Sequence, residues 1–184
     1  MLELCWGMKT AMNAQPLACL PSLPGTYVLV LRISQRQEIL VSSLGTLAVE
    51  PGLYLYVGSA RGPGGLAKRI GRHARAEKKC CWHIDYLTAV ATLDEVWYRV
   101  DDARRECYWA ECLKKLHGAT VPLEGFGSSD CRCRSHLFHF QALPSHRVFR
   151  QRLVRLLVSP AATIAVKSAA DELVQQLELG GTRR

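Results

Sequence analysis

Two tyrosines, an arginine and a histidine are the residues whose types and spacing could carry chemistry in this sequence. Tyr27 follows Gly-Thr, and Tyr56 begins Tyr-Val-Gly-Ser-Ala, each in a run of β-branched, aromatic and aliphatic residues typical of a strand. Arg69 and His73 are four residues apart in a helical pattern, so they share a helix face. In one cleft these groups could bind a phosphodiester and move a proton. From spacing alone we favour the simpler interpretation, in which both tyrosines are amphipathic sheet residues.

A second helical pattern, which begins after Asp101-Asp102, adds a carboxylate. Glu106 is the one acid on an otherwise apolar stripe, whose members are Ala103, Glu106, Ala110, Leu113 and His117. A carboxylate on a buried face needs a partner, and either a metal ion or a salt bridge to an arginine would serve. Glu111 lies near two lysines instead, which is typical of a solvated face. The face argument therefore favours Glu106 over Glu111 as a functional acid.

The elements that must position these side chains form a mixture of strands and helices. The sequence predicts strands over 26–33, 37–44, 53–57 and about 95–100, and helices over 66–79 and 102–116. Because Ser-Gln-Arg-Gln separates the first two strands, we expect them to form a hairpin. The expected fold is α+β, with a small, mostly antiparallel sheet of three to four strands flanked by helices.

The chain divides by composition into a central domain and two flanking segments. Residues 1–24 end in Leu-Pro-Ser-Leu-Pro and form an extended lead-in, and residues 25–140 form the domain. Residues 141–184 are expected to be a basic helical appendage, with a helix near 169–179 that ends before Gly180-Gly181.

Length and composition are those of a one-domain globular protein. The chain has 184 residues, of which 48% are hydrophobic and 22% are charged. No run reaches the roughly 18 apolar residues that would span a bilayer. The N-terminal residues lack the basic start and apolar centre of a signal peptide, so we expect a cytoplasmic protein without membrane contact.

The charge of the chain favours a polyanionic partner. Its formal net charge is +8, and its basic residues are concentrated between positions 61 and 79, where they face a single acid, Glu77. Closely spaced basic side chains of this kind would contact a phosphate backbone, although a solvated helix face is the alternative interpretation. Besides Arg69, the predicted nucleic-acid contacts are Arg61, Lys68, Arg72, Arg75, Lys78 and Lys79.

The eight cysteines fall into two groups. Four of them, Cys5, Cys19, Cys107 and Cys112, have the surroundings of ordinary small apolar residues and are expected to be reduced. Cys80-Cys81 and Cys131-x-Cys133 lie beside histidines instead. These residue types suit zinc, but the paired Cys-x₂-Cys of a standard zinc motif is absent, so zinc is not favoured.

A supporting role at the cleft is the preferred interpretation of the polar residues around the second cysteine group. We expect Cys131, Cys133 and His136 to lie close to the helix that carries Arg69, and we expect Trp82 in the core. The full set of predicted supporting residues is His83, Ser129, Asp130, Cys131, Cys133 and His136.

Several blocks, in order along the chain, resemble the GIY-YIG nuclease superfamily. They are Gly-Thr-Tyr, Tyr-Val-Gly-Ser-Ala and a helix with Lys-Arg-x-x-Arg-His. Two further blocks, Trp-His-Ile-Asp-Tyr-Leu at 82–87 and Gly-Phe-Gly-Ser-Ser-Asp-Cys-x-Cys-x-Ser-His-Leu at 125–137, resemble a prokaryotic branch of unknown function. That branch is sometimes fused to an endonuclease III-type glycosylase. The resemblance covers residues 24–140, and Gly-Thr-Tyr stands where the superfamily has Gly-Ile-Tyr.

The resemblance implies a role for each member of the site. Tyr27 and Tyr56 would flank the scissile phosphate, one of them as general base. Arg69 would hold the phosphate. His73 would correspond to the histidine or tyrosine that the superfamily has one helical turn after the arginine. Glu106 would bind one Mg²⁺ or Mn²⁺ ion.

The implied function is divalent-metal-dependent hydrolysis of phosphodiester bonds in nucleic acid, with DNA expected rather than RNA and a role in repair or processing. Two alternatives remain open from the sequence. One is a non-catalytic nucleic-acid-binding module that keeps the fold and the basic helix. The other is a zinc-stabilised interaction module that uses the cysteine blocks.

Overall fold

An antiparallel sheet of five strands forms the centre of the molecule. The computed structural model describes residues 6–9 and 20–157. The strands lie in the spatial order β1-β6-β2-β5-β7, and they are β1 (Trp6–Lys9), β2 (Gly25–Ile33), β5 (Gly52–Ala60), β6 (Thr92–Val100) and β7 (Leu137–Phe140). With the helices below, this confirms the α+β class that the sequence predicts.

The central position of β2 explains its nearly continuous apolar sequence. It pairs with β5 on one side and β6 on the other, and eight of its nine residues are buried. In the register with β5, Tyr27 lies opposite Gly58, and Leu29 lies opposite Tyr56. Tyr27 and Tyr56 are therefore diagonal neighbours on one face of the sheet.

The predicted hairpin between 26–33 and 37–44 is wrong. Gln37–Leu40 (β3) instead pairs with Thr46–Val49 (β4) in a separate two-stranded sheet. Both edges of β2 are already occupied by longer strands, so the following segment has no place beside it. A short 3₁₀ turn at Ser42–Leu44 reverses the chain, with Gly45 in a left-handed conformation at φ 88°.

Four described helices accompany the sheets. They are α1 (Gly65–His73), α2 (His83–Thr88), α3 (Glu106–Lys114) and α4 (His146–Leu157). Apolar residues of α1 and α2 join the core cluster that includes Tyr27 and Leu29, so these helices cover the tyrosine-bearing face.

The helix predicted over 66–79 ends six residues early, at His73. The ammonium group of Lys78 donates to the carbonyl oxygen of His73 at 2.6 Å and to that of Arg75 at 3.0 Å. A basic side chain that binds terminal carbonyls satisfies the end of a helix. The basic segment 74–79 is consequently a loop rather than a continuation of α1.

The chain separates into two compact units, Met1–Pro144 and Ser145–Arg184. The first contains both sheets and α1 to α3, and the described part of the second is α4. The helix predicted near 169–179 lies outside the described residues. None of the described helices is long and apolar enough to cross a membrane.

Candidate functional site

A cleft of about 440 Å³ opens on the tyrosine-bearing face of the sheet. All five residues singled out from the sequence as catalytic line it, and so do several of the predicted contact and supporting residues. These lining residues include Tyr27, Tyr56, Arg69, His73, Glu106, Arg61, His83, Ser129 and Asp130. Strands β2 and β5, helices α1 to α3 and the loop before β7 each contribute side chains to one space.

The hydroxyl of Tyr27 contacts the imidazole of His73 inside the cleft. The hydroxyl lies 2.8 Å from Nε2 of His73, which is the last residue of α1. The ring is buried over Gly58, where an added Cβ would lie 2.5 Å from both Cζ and Oη of Tyr27. The glycine of Tyr-Val-Gly thus leaves the space that this tyrosine ring occupies.

Behind His73 lies a buried acid that the sequence did not single out. Asp85, on the first turn of α2, is completely buried, and its Oδ1 lies 3.8 Å from Nδ1 of His73. Because Nδ1 faces a carboxylate, we assign the imidazole proton to Nδ1, which leaves Nε2 to accept the Tyr27 proton. The sequence carried only one signal for Asp85, its place in the Trp-His-Ile-Asp block.

Four N–H groups hold the Asp85 carboxylate. Arg72 donates to both oxygens, at 2.8 and 2.9 Å, and the backbone N–H groups of Cys81 and Trp82 donate at 2.9 and 3.0 Å. Burial alone would raise the pKa of Asp85, but these donors lower it below its ordinary value. Asp85 is therefore an ionised carboxylate at neutral pH.

Burial determines the protonation states at the front of the cleft. It lowers the pKa of His73 to about 4, against the opposing effect of Asp85, so the imidazole is neutral at pH 7. It also raises the pKa of Tyr27 well above its ordinary value, and the nearby Tyr56 adds to that rise. A neutral acceptor thus faces a protonated phenol.

Tyr56 is half-buried and packs against the loop before β7. A Cβ at Gly127 would lie 2.7 Å from its ring, and Gly127 has a φ of 71° that L-residues rarely adopt. The N–H of Gly127 donates to Nδ1 of His83 at 3.1 Å, so this predicted supporting residue fixes the loop. Burial, followed by the charge of Glu106, raises the pKa of Tyr56.

The two glutamates of α3 lie in different surroundings. Glu106 lines the cleft, is half-buried, and has no ion-pair partner within the part of the chain that the structure describes. Glu111 is paired with Lys114 and Lys115 at 3.5 and 3.0 Å, and its side chain is 44% exposed. Glu106 is thus the acid of α3 that lines the cleft, although Ala103 and His117 of the predicted stripe lie outside the helix.

The prediction that Trp82 lies in the core is wrong. It is 39% exposed and lines the cleft, with the guanidinium carbons of Arg69 and Arg72 at 4.3 and 4.0 Å from its ring centroid. A wide aromatic surface covered by guanidinium groups is a cation–π arrangement. Periodicity could not reveal it, because Trp82 lies just before α2 rather than within a helix.

The predicted nucleic-acid contacts divide into exposed and engaged residues. Arg72 binds Asp85, and Lys78 binds the carbonyl groups at the end of α1 and is half-buried. Burial lowers the pKa of Lys78. The contacts of Arg72 and Lys78 therefore stabilise the fold. The exposed members of the set are Arg61, Lys68, Arg75 and Lys79, of which Arg61 also donates to the carbonyl oxygen of Asp102.

A cluster of three cysteines and one histidine lies beside the cleft. Cys131, Cys133 and His136 are joined by Cys107 of α3, and one ligand atom from each lies within 4.8 Å of all the others. Cys107 is exposed, so its interpretation as an ordinary small apolar residue is wrong. Burial and the adjacent thiols raise the pKa of Cys133. Sequence spacing missed the fourth member because it lies 24 residues before Cys131, on another element.

Comparison with known families assigns most of the chain to a described domain family. Residues 26–158, more than half of the chain, match the family described as domain of unknown function DUF123. The chain therefore belongs to the DUF123 family. Neither the comparison with curated proteins nor the comparison with solved structures finds a match.

Proposed function

We propose that this protein is a divalent-metal-dependent nuclease of the GIY-YIG type, which hydrolyses phosphodiester bonds in nucleic acid, with DNA as the expected substrate. One observation carries the proposal: two tyrosines, an arginine, a histidine and a glutamate from separate elements line one cleft. Each has the chemistry that phosphodiester hydrolysis requires. The resemblance of the motifs to the GIY-YIG superfamily supports the same activity.

Arg69 is the group that binds the reacting phosphate. It lines the cleft on the same helix face as His73, and it forms no ion pair with any described residue. A guanidinium donates two parallel hydrogen bonds to phosphate oxygens and stabilises the charge that develops on them. Trp82 stacks against Arg69 at 4.3 Å and limits its orientations.

Tyr27, His73 and Asp85 form the route for the proton. As water attacks phosphorus, Oη of Tyr27 accepts the water proton and passes its own proton to Nε2 of His73, 2.8 Å away. The P–O bond to the 3′ oxygen then breaks. Asp85, ionised and 3.8 Å from Nδ1, stabilises the imidazolium that forms.

Glu106 fits a single Mg²⁺ or Mn²⁺ ion. Its carboxylate lines the cleft without a cationic partner in the described residues, and Mg²⁺ keeps several waters when one or two carboxylates hold it. Such an ion, when bound, supplies Lewis-acid polarisation of the phosphate and stabilisation of the leaving 3′ oxygen.

Cleavage of a defined panel tests the proposal. Labelled single-stranded, duplex and flap DNA, with matching RNA, are incubated with the full chain and Mg²⁺, Mn²⁺ or a chelator. Arg69→Ala and Glu106→Gln should each lower the single-turnover rate by roughly 10²–10³-fold. The matched controls are Arg75→Ala, an exposed arginine outside the cleft lining, and Glu111→Gln, the solvated acid of α3. Wild-type rates for Arg69→Ala at saturation would contradict a catalytic cleft.

A second candidate, a nucleic-acid-binding module without catalysis, is favoured by one observation. Trp82 is exposed beside Arg69. An aromatic ring suits base stacking and a guanidinium suits phosphate contact, and neither requires a reaction. Binding with a steep salt dependence, and no cleavage of any member of the panel, would select this function over hydrolysis.

A further inference from the structure

We propose that Cys107, Cys131, Cys133 and His136 form a structural zinc site that fastens the loop 125–136 to the first turn of α3. The site goes beyond the proposed nuclease activity, since neither its ligands nor its chemistry takes part in phosphodiester hydrolysis.

The spacing of the ligand atoms fits a tetrahedral ion. Zinc binds thiolate sulfur at about 2.3 Å and imidazole nitrogen at about 2.0–2.1 Å, so neighbouring ligands of a tetrahedron lie about 3.6 Å apart. Sγ of Cys131 lies 3.5 Å from Nε2 of His136. The four ligand atoms all lie within 4.8 Å of one another, so small side-chain rotations bring each to its bonding distance.

The backbone holds two of these ligands in place, His136 and Cys131. His136 is 2% exposed; its N–H donates to the carbonyl oxygen of Phe126 at 2.8 Å, and its carbonyl accepts from Val57 at 2.9 Å. A turn closed by the N–H of Cys131 and the carbonyl of Ser128, at 3.2 Å, directs the loop back toward the sheet. These hydrogen bonds preorganise the site before any ion binds.

The donor set selects zinc. Three thiolates and one imidazole suit a borderline-soft ion in tetrahedral geometry, whereas Mg²⁺ and Mn²⁺ prefer oxygen ligands. Thiols are weak hydrogen-bond partners for one another, so the cluster gains little from its own internal contacts. The zinc site and the Glu106 site therefore take different ions, although Glu106 and Cys107 are consecutive residues.

The number of protein ligands makes this site structural. Four side chains close the coordination shell, and a catalytic zinc needs an open position for water or substrate. What the ion provides is a cross-link between two segments that border the cleft. Cys107 fixes the helical turn that carries Glu106, and Cys131 follows Ser129 and Asp130, which line the cleft.

Metal analysis of the full chain tests the site. Protein purified without chelator and reconstituted with zinc should contain one zinc per chain, and Cys133→Ser should lose it. Cys80→Ser is the matched control, because Cys80 is an exposed cysteine outside the cluster. His136→Cys should retain zinc through a Cys₄ shell, which separates loss of a ligand from loss of the fold. Cobalt in place of zinc should give the intense visible absorption of tetrahedral thiolate coordination.

The outcomes that overturn the site are distinct from failure of the nuclease proposal. Substoichiometric zinc in reconstituted wild type, one zinc per chain in Cys133→Ser, or bound iron with inorganic sulfide would each overturn it. Glu106→Gln should keep its zinc in full, because its carboxylate is outside the cluster. Full zinc content without cleavage would reject only the nuclease, and cleavage without zinc would reject only this site.

Discussion

The hydroxyl of Tyr27 lies 2.8 Å from Nε2 of His73, although 46 residues separate them in the sequence. The contact joins the third residue of the central strand to the last residue of the helix that carries Arg69. Below it, Gly58 makes room for the phenol ring, and behind it, Asp85 faces the other imidazole nitrogen. The hydrogen bond therefore joins Tyr27, which packs over the neighbouring motif-bearing strand, to the histidine that faces the buried acid of α2.

Tyr27→Phe should abolish proton transfer while leaving the fold intact. The ring keeps its place over Gly58, and only the hydroxyl that bonds His73 is lost. We expect the single-turnover cleavage rate to fall by about 10²–10⁴-fold, the usual contribution of a positioned acid–base group. Tyr54→Phe is the control, since Tyr54 bonds the backbone of Glu50 and does not line the cleft. Equal rates for both variants would remove Tyr27 from the chemistry.

Gly58→Ala should destabilise the protein through the same tyrosine. The new methyl group would lie 2.5 Å from the Tyr27 ring, so the ring or the strand must move. Overpacking of this kind costs about 1–3 kcal/mol of the free energy of unfolding. Gly71→Ala is the control: it lies within α1 with nothing within 4 Å of its added Cβ, and it should stabilise by about 0.5–1 kcal/mol. Denaturant unfolding measures both, and a neutral Gly58→Ala would contradict the close contact.

Asp85→Asn should lower the free energy of unfolding far more than removal of a surface acid does. The change leaves Arg72 without its buried partner, and breaking one side of a buried ion pair costs about 3–5 kcal/mol. Glu124→Gln removes an acid whose side chain is 67% exposed, in a pair with Arg134, and should cost less than about 1 kcal/mol. Unfolding midpoints that fall equally for the two variants would show that the Asp85 pair is not the stronger one.

The sequence predicted which segments of the site form strands and helices better than it predicted which strands pair with each other. Tyr27 and Tyr56 lie in runs whose alternation identifies strands, and Arg69 and His73 share a face by helical spacing alone, so local pattern was enough. The separate pairing of β3 with β4 depends on which strands already flank β2, and that is a property of the whole sheet.

The residues that the sequence missed are those defined by long-range contacts. Asp85 was one acid in a short block, and only its burial against Arg72 and His73 distinguishes it. Cys107 lies in a helix that offered no zinc spacing, because the other ligands come from a loop 24 residues later. Trp82 had an aromatic side chain typical of a core, and its place at the cleft depends on where α2 begins.

Trp82→Ala should weaken nucleic-acid binding without changing its salt dependence. Stacking of a base on an aromatic ring contributes about 1–3 kcal/mol and involves no counterion release. Lys79→Ala, at an exposed cation, should instead lower the slope of log affinity against log salt by about one unit. Trp82→Phe should restore part of the affinity. Titrations across a salt series separate the two effects, and a changed slope for Trp82→Ala would mean that it acts through Arg69.

His73 should make the protein less stable as the pH falls from about 6.5 to about 4. Its pKa is lowered by burial to about 4 in the folded state, so in this window the unfolded chain binds a proton that the native protein does not. Stability therefore rises with pH across the window, by about 3 kcal/mol for the full shift. Burial also lowers the pKa of His83, so its contribution has the same sign.

A comparison of two curves isolates the contribution of His73. Unfolding free energies of wild type and His73→Gln, measured from pH 7.5 down to pH 4, should converge as the pH falls. The slopes of free energy against pH should differ by the equivalent of up to one bound proton. Asp85 contributes to both curves, because it is present in both proteins and its pKa in the folded state is lowered from 3.8. Parallel curves would mean that His73 keeps an ordinary pKa near 6.5, and most of the imidazole would then be protonated at pH 6 and unable to accept from Tyr27.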